Sequence, residues 1–181
     1  TRILAVIVVS VLLLAMIGTP GQALAPAQSK LVVGILHVGS VSDGGYNQAH
    51  ADGVRAMQGA LPNVDVIEVE NVPEGADAER VMETMIQRGA KLIIAASFGY
   101  LDPALNVARR HPDVIFFHPG GFKRAPNFTT YWAATQEGFY LMGMAAGRIT
   151  KTNKMGFVIA LPVSFFLANV NAFHLGARSV N

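Results

Sequence analysis

The sequence has 181 residues, a length that allows one ordinary domain, and 51% of them are hydrophobic. It has no cysteine, so disulfide bonds cannot stabilise the fold and a cysteine nucleophile is excluded. The formal net charge is only +2, and the basic residues are scattered rather than interleaved with aromatic residues, which argues against a nucleic-acid-binding surface.

The first residues carry the pattern of an export signal. Arg2 precedes an apolar, uncharged run over residues 3–17, and small residues follow as far as Ala23-Leu24-Ala25. This order predicts a cleaved secretory signal peptide over residues 1–25. The alternative is a membrane anchor, but the run is shorter than the ~20 residues that a spanning helix needs. Because lipidation needs a cysteine at the processing site, we expect a non-lipidated periplasmic protein that starts near Pro26.

The next part of the chain alternates between strand-like and helix-like segments. Short apolar runs predict strands over residues 31–38, 64–69, 91–96 and 114–117. Segments with apolar residues at helical spacing predict helices over residues 46–61, 76–88 and 103–110. This alternation with apolar strands predicts a doubly wound parallel sheet, which is an α/β fold with helices on both faces.

The remaining segments predict a strand of edge type over residues 128–133, a helix over 136–149, a strand over 154–160 and a helix over 164–176. Gly138, Gly143 and Gly147 lower the helix propensity of their segment but permit close packing. The last strand and helix cannot bury both faces of a sheet by themselves. They either join the first sheet or begin a second domain.

In open α/β sheets the ligand crevice lies beyond the carboxyl ends of the strands. The first strand is followed by the glycine-rich loop 39–48, where Gly45 allows a ligand to approach the backbone. Asp43 can accept hydrogen bonds from a ligand, or it can cap the helix that follows. Tyr46 offers a flat face to a ligand, although it could instead pack as a lid over the core, and Asn47 offers an amide.

Two further strand ends supply candidate contacts. Ser97, Phe98 and Gly99 follow the third strand, and stacking of a flat ring on an aromatic side chain contributes roughly 1–3 kcal/mol. The loop His118–Gly121 follows the fourth strand and offers backbone groups. Trp132 ends the fifth strand, where a position in the site and a position in the core remain equally open.

Signs of catalysis are few. The sequence has no G-x-S-x-G motif, no phosphate-binding loop of the G-x-x-x-x-G-K type and no G-x-G-x-x-G fingerprint. Its five histidines have no metal-ligand spacing, and His50 could either line the crevice or bond to the backbone. A hydrolase that uses Ser97 or Ser164 remains an alternative, but we expect no enzyme, no cofactor and no metal.

Five separated stretches carry a resemblance to a known family: residues 42–48, 70–80, 97–103, 137–143 and 171–181. In this order they resemble the basic membrane protein family of ABC-transporter substrate-binding proteins, which includes purine-nucleoside receptors. The resemblance runs from about Leu31 to Asn181. It implies the type I periplasmic binding protein fold, in which two α/β lobes joined by a hinge close on a ligand.

The resemblance also implies roles for particular residues. The aromatic residue of the first motif stacks on a purine ring in the family, and here that position is Tyr46. Asp43 matches the acidic position of this motif and Asn47 matches an amide that some members carry. Phe98 and Gly99 match the second ligand-lining segment.

Proteins of this family are longer than this chain. The resemblance therefore implies that the chain holds a signal peptide, one lobe and part of a second lobe. Residues 1–25 would be the signal peptide, 26–134 the N-terminal ligand-binding lobe, and 135–181 the hinge crossing with the truncated start of the second lobe. The resemblance places residues 162–171 against the ligand. Many relatives carry a basic residue there, whereas this chain has Ala168 and Asn169, so Asn169 is its candidate contact.

The expected function is that of a monomeric periplasmic solute-binding protein that delivers a purine nucleobase or nucleoside to an ABC permease. Its partners would be the small-molecule ligand and the permease, with no nucleic acid. The alternative is a receptor of the same fold for another solute or signal, and a periplasmic hydrolase is the less favoured reading.

Overall fold

The computed structural model describes residues 30–181, so the predicted signal peptide lies outside the described residues. The described chain forms five strands, five helices and one short 3₁₀ turn. In chain order they are β1 (Leu31–His37), α1 (Tyr46–Ala60), β2 (Val64–Val69), α2 (Ala76–Gln87), β3 (Leu92–Ala96), the 3₁₀ turn (Phe98–Tyr100), α3 (Leu101–Arg110), β4 (Ile115–Pro119), β5 (Phe128–Tyr131), α4 (Thr135–Ile149) and α5 (Ser164–Arg178).

The five strands form one sheet in the order β2-β1-β3-β4-β5, and every neighbouring pair is parallel. β1 lies inside the sheet, with Leu31 opposite Val64 of β2 and Val33 opposite Leu92 of β3. Parallel neighbours need long crossover connections, and α1, α2 and α3 supply them for the first four strands. The predicted parallel α/β sheet is therefore confirmed.

The larger core lies on the face of the sheet that α2 and α3 cover. Leu36, Ile93 and Phe116 project from three adjacent strands and are fully buried there. Met82 from α2 and Leu105 from α3 pack in the same cluster. Because side chains alternate along a strand, the residues before and after each of these three point to the opposite face of the sheet.

The opposite face carries a smaller core under α1. Ile35 of β1 and Ala96 of β3 pack there with Val54, which faces inward from α1. β1 and β3 are thus buried on both sides over most of their length, as their near-continuous apolar sequences predict, whereas β2 at the edge of the sheet exposes Asp65 and Glu68.

Most elements differ from the sequence prediction by one or two residues at an end, and α3 and β5 are two examples. α3 begins at Leu101, two residues before the predicted start at Pro103. Proline is tolerated at this place because N–H groups in the first turn of a helix have no partner within the helix. β5 ends at Tyr131 and pairs on one side only, with β4. Its predicted character as an edge strand is confirmed.

α4 and α5 pack closely against each other, and glycines form their contact. A Cβ atom on Gly143 would lie 2.0 Å from the carbonyl oxygen of Phe173, and one on Gly176 would lie 2.0 Å from that of Tyr140. The prediction that glycines in α4 permit close packing is confirmed for Gly143 and Gly147, whereas Gly138 has no neighbour at its Cβ position. None of the helices between residues 30 and 181 is both long and apolar enough to cross a membrane.

The predicted strand over residues 154–160 is wrong. The described structure has no strand between α4 and α5, and Val158 in this segment is 96% exposed. A strand needs hydrogen-bonding neighbours, and no strand of the described residues lies beside this segment. The apolar sequence is compatible with a strand, but the pairing that would create one is absent from residues 30–181.

Candidate functional site

Aromatic side chains line a cavity of about 200 Å³ at the carboxyl ends of β3, β4 and β5. Its walls come from three loops of the sheet and from the start of α5. They are Phe98, Gly120, Gly121, Phe122, Thr130, Tyr131, Trp132, Val163, Ser164 and Phe165. Larger hollows of about 410 Å³ and 550 Å³ border α2, the first together with β2, and another of about 550 Å³ lies between residues 153–157 and α5. The smaller cavity is the candidate site because ligands bind open parallel sheets at the carboxyl ends of their strands.

The aromatic rings of this cavity contact one another across elements. Trp132 and Phe165 have ring centroids 4.2 Å apart, and Phe98 lies 6.4 Å from both Phe122 and Phe165. Trp132 is 37% exposed, so it lines the cavity wall and is not part of the core. Phe122, which the sequence did not single out, is 73% exposed at the rim. These open ring faces suit a flat, apolar ligand group.

The loop after β4 brings its backbone close to the cavity. Gly120 has φ +69°, and a Cβ atom there would lie 2.9 Å from the ring of Phe165. A Cβ atom on Gly121 would lie 2.7 Å from Nδ1 of the fully buried His118. Only glycine fits both positions without movement of these neighbours. This loop, which was predicted to offer backbone contacts, therefore forms part of the cavity wall.

Asp43 is engaged by its own loop. Its Oδ1 accepts hydrogen bonds from the N–H groups of Gly45 (2.8 Å) and Gln48 (3.1 Å), and Oδ2 accepts from the backbone N–H and side-chain amide of Asn47 (3.1 and 2.8 Å). The Gln48 N–H, then the Asn47 amide and the Gly45 N–H, hold the pKa of Asp43 well below its usual range. Of the two roles that the sequence left open, the structure shows the capping of α1.

Asn47 is buried and holds the same loop in place. Its amide nitrogen donates to Asp43, and its Oδ1 accepts from the backbone N–H of Gly39 at 3.2 Å. Both ends of the amide are therefore occupied within the protein. Gly45 precedes the first residue of α1, where a Cβ atom would meet only ordinary contacts with Asp43.

Tyr46 is the member of this loop with an open face. It is 38% exposed, and its ring lies 4.4 Å from that of His50 one turn along α1. Burial, and secondarily the nearby hydroxyl of Tyr131, raise the pKa of Tyr46 above its usual range. His50 donates from Nδ1 to the carbonyl oxygen of Tyr46 at 2.9 Å, so it bonds to the backbone, and burial lowers the pKa of His50.

The second loop is tied to a glutamate that the sequence analysis missed. The Ser97 hydroxyl donates to Glu74 Oε1 at 2.7 Å, and the Gly99 N–H donates to the same oxygen at 3.2 Å. Within the described residues, neither Ser97 nor Ser164 is hydrogen-bonded to an imidazole, which is the partner that activates a serine nucleophile in many hydrolases. Glu74 falls within the resembling stretch 70–80, which is the signal that could have found it.

Asn169 lies apart from the aromatic cavity. It is 3% exposed, and its Oδ1 accepts a hydrogen bond from the Thr135 hydroxyl at 3.0 Å between α4 and α5. With Trp132 it borders a separate hollow of about 450 Å³. The structure thus brings Phe98 and Trp132 together, places Ser97 and Gly99 just behind them, and leaves Asn169 on the far side of Trp132.

No group of three or more metal-ligating side chains is found in the part of the chain that the structure describes. The chemistry of the candidate site is therefore that of ring faces, backbone groups and a few hydroxyls. Such a surface binds by stacking and hydrogen bonding.

Comparison with known proteins identifies the family. The family described as ABC transporter substrate-binding protein PnrA-like matches residues 30–181. The chain belongs to this family. Family members are the substrate-binding components of transporters, which agrees with the resemblance seen in the separated stretches.

Individual relatives differ in the ligand that their names give. A purine-binding protein of Brucella abortus is 40% identical over 158 residues, which cover 87% of this chain and 45% of the relative. A protein of Haloferax volcanii, whose name assigns it to glucose binding in an ABC transporter, is 35% identical over 81% of this chain and 37% of its own length. A nucleoside-binding protein of Lactococcus lactis is 32% identical over 52% of this chain and 27% of the relative.

Solved structures agree on the fold. An ABC transporter solute-binding protein of Conexibacter woesei superposes with a TM-score of 0.66 at 26% identity, over 83% of this chain and 51% of that protein. A solute-binding protein of Aeropyrum pernix superposes with a TM-score of 0.67 at 24% identity. The chain spans about half the length of these proteins or less, so its sheet corresponds to one part of a longer fold.

Proposed function

We propose that the full-length protein is an extracytoplasmic solute-binding protein that delivers a purine nucleobase or nucleoside to an ABC permease. The observation that carries this proposal is the aromatic cavity at the strand ends of a chain that belongs to a substrate-binding family. The purine-binding protein of Brucella abortus, 40% identical over most of this chain, supports the choice of ligand.

In this proposal the site residues fall into two groups. Tyr46, Phe98 and Trp132 offer ring faces for the purine, with Phe122 at the rim. The second group shapes the loops and lets backbone N–H groups approach the ligand. Its members are Asp43, Gly45, Asn47, Ser97 and Gly99. Asn169, which lies between α4 and α5, contacts the ligand when the two proposed lobes close on it.

The proposal also covers the organisation of the protein. Residues 1–25 are a cleaved signal peptide without lipidation, 26–134 form the first lobe, and 135–181 form the crossing and the start of a second lobe. The protein acts as a monomer in the periplasm, contacts the permease and no nucleic acid, and catalyses no reaction. The sequence pattern of the first 25 residues and the separate packing of α4 with α5 support this division.

Calorimetric titration of the full-length protein with adenine, guanosine and inosine tests the ligand. We expect at least one of them to bind, and Tyr46→Ala to weaken that binding by about 1–3 kcal/mol because a stacking face is lost. Tyr46→Phe keeps the ring and serves as the matched control. The proposal fails if none of the three binds, or if Tyr46→Ala leaves the affinity unchanged.

A sugar receptor of the same fold is the second candidate. The relative of Haloferax volcanii, whose name refers to glucose, supports it. Glucose in the same titration distinguishes the two candidates. Neighbouring genes give an independent indication, since permease and ATPase genes favour transport whereas a kinase gene favours sensing.

A further inference from the structure

The loop between β2 and α2 contacts the first ligand-lining loop. Glu70 Oε2 accepts a hydrogen bond from the Val41 N–H at 2.8 Å, and the Asn71 N–H donates to the Gly39 carbonyl at 3.3 Å. Asn71 has φ +56°, a left-handed conformation that non-glycine residues seldom adopt. The loop is therefore turned so that its backbone and its first carboxylate both meet the loop that carries Tyr46.

The same loop also contacts the second ligand-lining loop, through Glu74 and Val72. Glu74 Oε1 accepts from both Ser97 and Gly99, while the hydroxyl of the buried Tyr100 donates to the Val72 carbonyl at 2.5 Å. These contacts fall on both sides of Phe98 in the sequence. The ring of Phe98 is thus carried by a turn that is anchored before and after it.

Glycine at position 99 belongs to this arrangement. A Cβ atom on Gly99 would lie 2.0–2.2 Å from the carboxylate atoms of Glu74, so a larger residue at position 99 would displace this carboxylate. Glycine at this position thus leaves room for the Glu74 carboxylate to approach the backbone of the turn. A charged acceptor that takes two hydrogen bonds is a strong restraint, because such bonds are about twice as strong as neutral ones.

We propose that Glu74 is a positioning residue of the ligand site, whose carboxylate holds the turn 97–100 and thereby sets the orientation of the Phe98 ring. This inference rests on the proposed function for its effect on binding. Glu74 itself is exposed and lies outside the buried clusters. Its removal should therefore loosen the turn and leave the sheet intact.

Hydrogen exchange of the ligand-free, full-length protein tests the restraint without any ligand. In Glu74→Ala we expect faster exchange of the Gly99 amide, about tenfold or more, because its acceptor is gone. Strand β3, residues 92–96, should exchange as in the wild type. Glu74→Gln keeps one acceptor oxygen and should restore slow exchange. Asp77→Ala is the matched control, since it removes a carboxylate three residues away that pairs with Arg80.

Purine titration of the same variants tests the effect on the site. We expect Glu74→Ala to bind about tenfold more weakly, and Glu74→Gln and Asp77→Ala to bind like the wild type. Unchanged exchange at Gly99 overturns the inference, as does an increase that extends through β3 or an unchanged affinity. If the wild type binds no purine, the proposed function fails, and the exchange data still decide whether Glu74 restrains the turn.

Discussion

Asp43 lies in the loop after the carboxyl end of β1, and both of its oxygens accept hydrogen bonds from residues that follow it in the chain. Three of the four donors are backbone N–H groups at the start of α1, which a helix leaves unpaired. The carboxylate thereby fixes the direction in which α1 begins and, with it, the place of Tyr46. At the scale of the residue, a site is shaped as much by such loop contacts as by groups that face the ligand.

The lowered pKa of Asp43 predicts a pH dependence of stability. A carboxyl group whose pKa is lower in the folded than in the unfolded state stabilises the fold above the unfolded value of about 3.9, and this contribution is lost as the pH falls toward the folded pKa. We expect Asp43→Asn to be less stable than the wild type at pH 7, with a difference that shrinks below about pH 4.

Chemical unfolding of wild type and Asp43→Asn between about pH 7 and pH 2.5 measures this difference. Asp65→Asn, on the exposed side of β2, is the charge-matched control. A difference that stays constant over the whole range would contradict the prediction.

The contact between α4 and α5 shows how glycine acts at the scale of the element. Gly143 and Gly176 each lie against a backbone carbonyl of the other helix, so the two axes approach closely. Gly138 of α4 has open space where a Cβ atom would lie. The sequence showed three glycines in one helical segment but could not tell which of them pack.

This difference gives a matched pair of substitutions. Gly143→Ala forces a Cβ atom against the backbone of α5 and should lower the free energy of unfolding by about 1–3 kcal/mol. Gly138→Ala meets no neighbour and should raise it by about 0.5–1 kcal/mol through better helix propensity. Denaturant titrations of the full-length protein measure both changes. Equal effects of the two substitutions would show that the helix contact does not depend on Gly143.

The segment 154–160 shows a case in which the sequence pattern predicts an element that the described structure does not contain. Its apolar residues predict a strand, but strands exist through hydrogen bonds to a neighbour, and none is available within residues 30–181. Elements that carry their own hydrogen bonds, such as α5 directly after it, form as predicted.

At the scale of the whole molecule, the residues that line the cavity lie mainly on one side of it. The sheet supplies most of its lining, and the segment 163–165 at the start of α5 supplies the rest. Tight small-molecule sites enclose most of the ligand's surface, and this chain spans 45% of the length of the purine-binding relative. Under the proposed function, enclosure of the ligand would therefore need more of the protein than residues 30–181.

We expect a protein that consists of residues 30–181 alone to bind purines weakly, since the ligand would be covered from one side. The exposed apolar residues Leu141, Ile149 and Val158 should also favour self-association of this protein. Calorimetry against the full-length protein measures the first effect and light scattering the second. Micromolar or tighter binding by residues 30–181 would contradict the expectation.

The sequence by itself determined the α/β class and the parallel sheet, because apolar runs and helical spacing specify local structure. The loops at the strand ends follow from these elements, and the ligand site in them stays a prediction. It also determined the family, through short stretches that keep their order. Only the tertiary structure decided that Asp43 accepts hydrogen bonds from its own loop, that Glu74 accepts hydrogen bonds from Ser97 and Gly99, and that Trp132 lines a cavity with Phe165. These facts depend on contacts between residues that are distant in the chain, and a sequence pattern does not contain the distances that decide them.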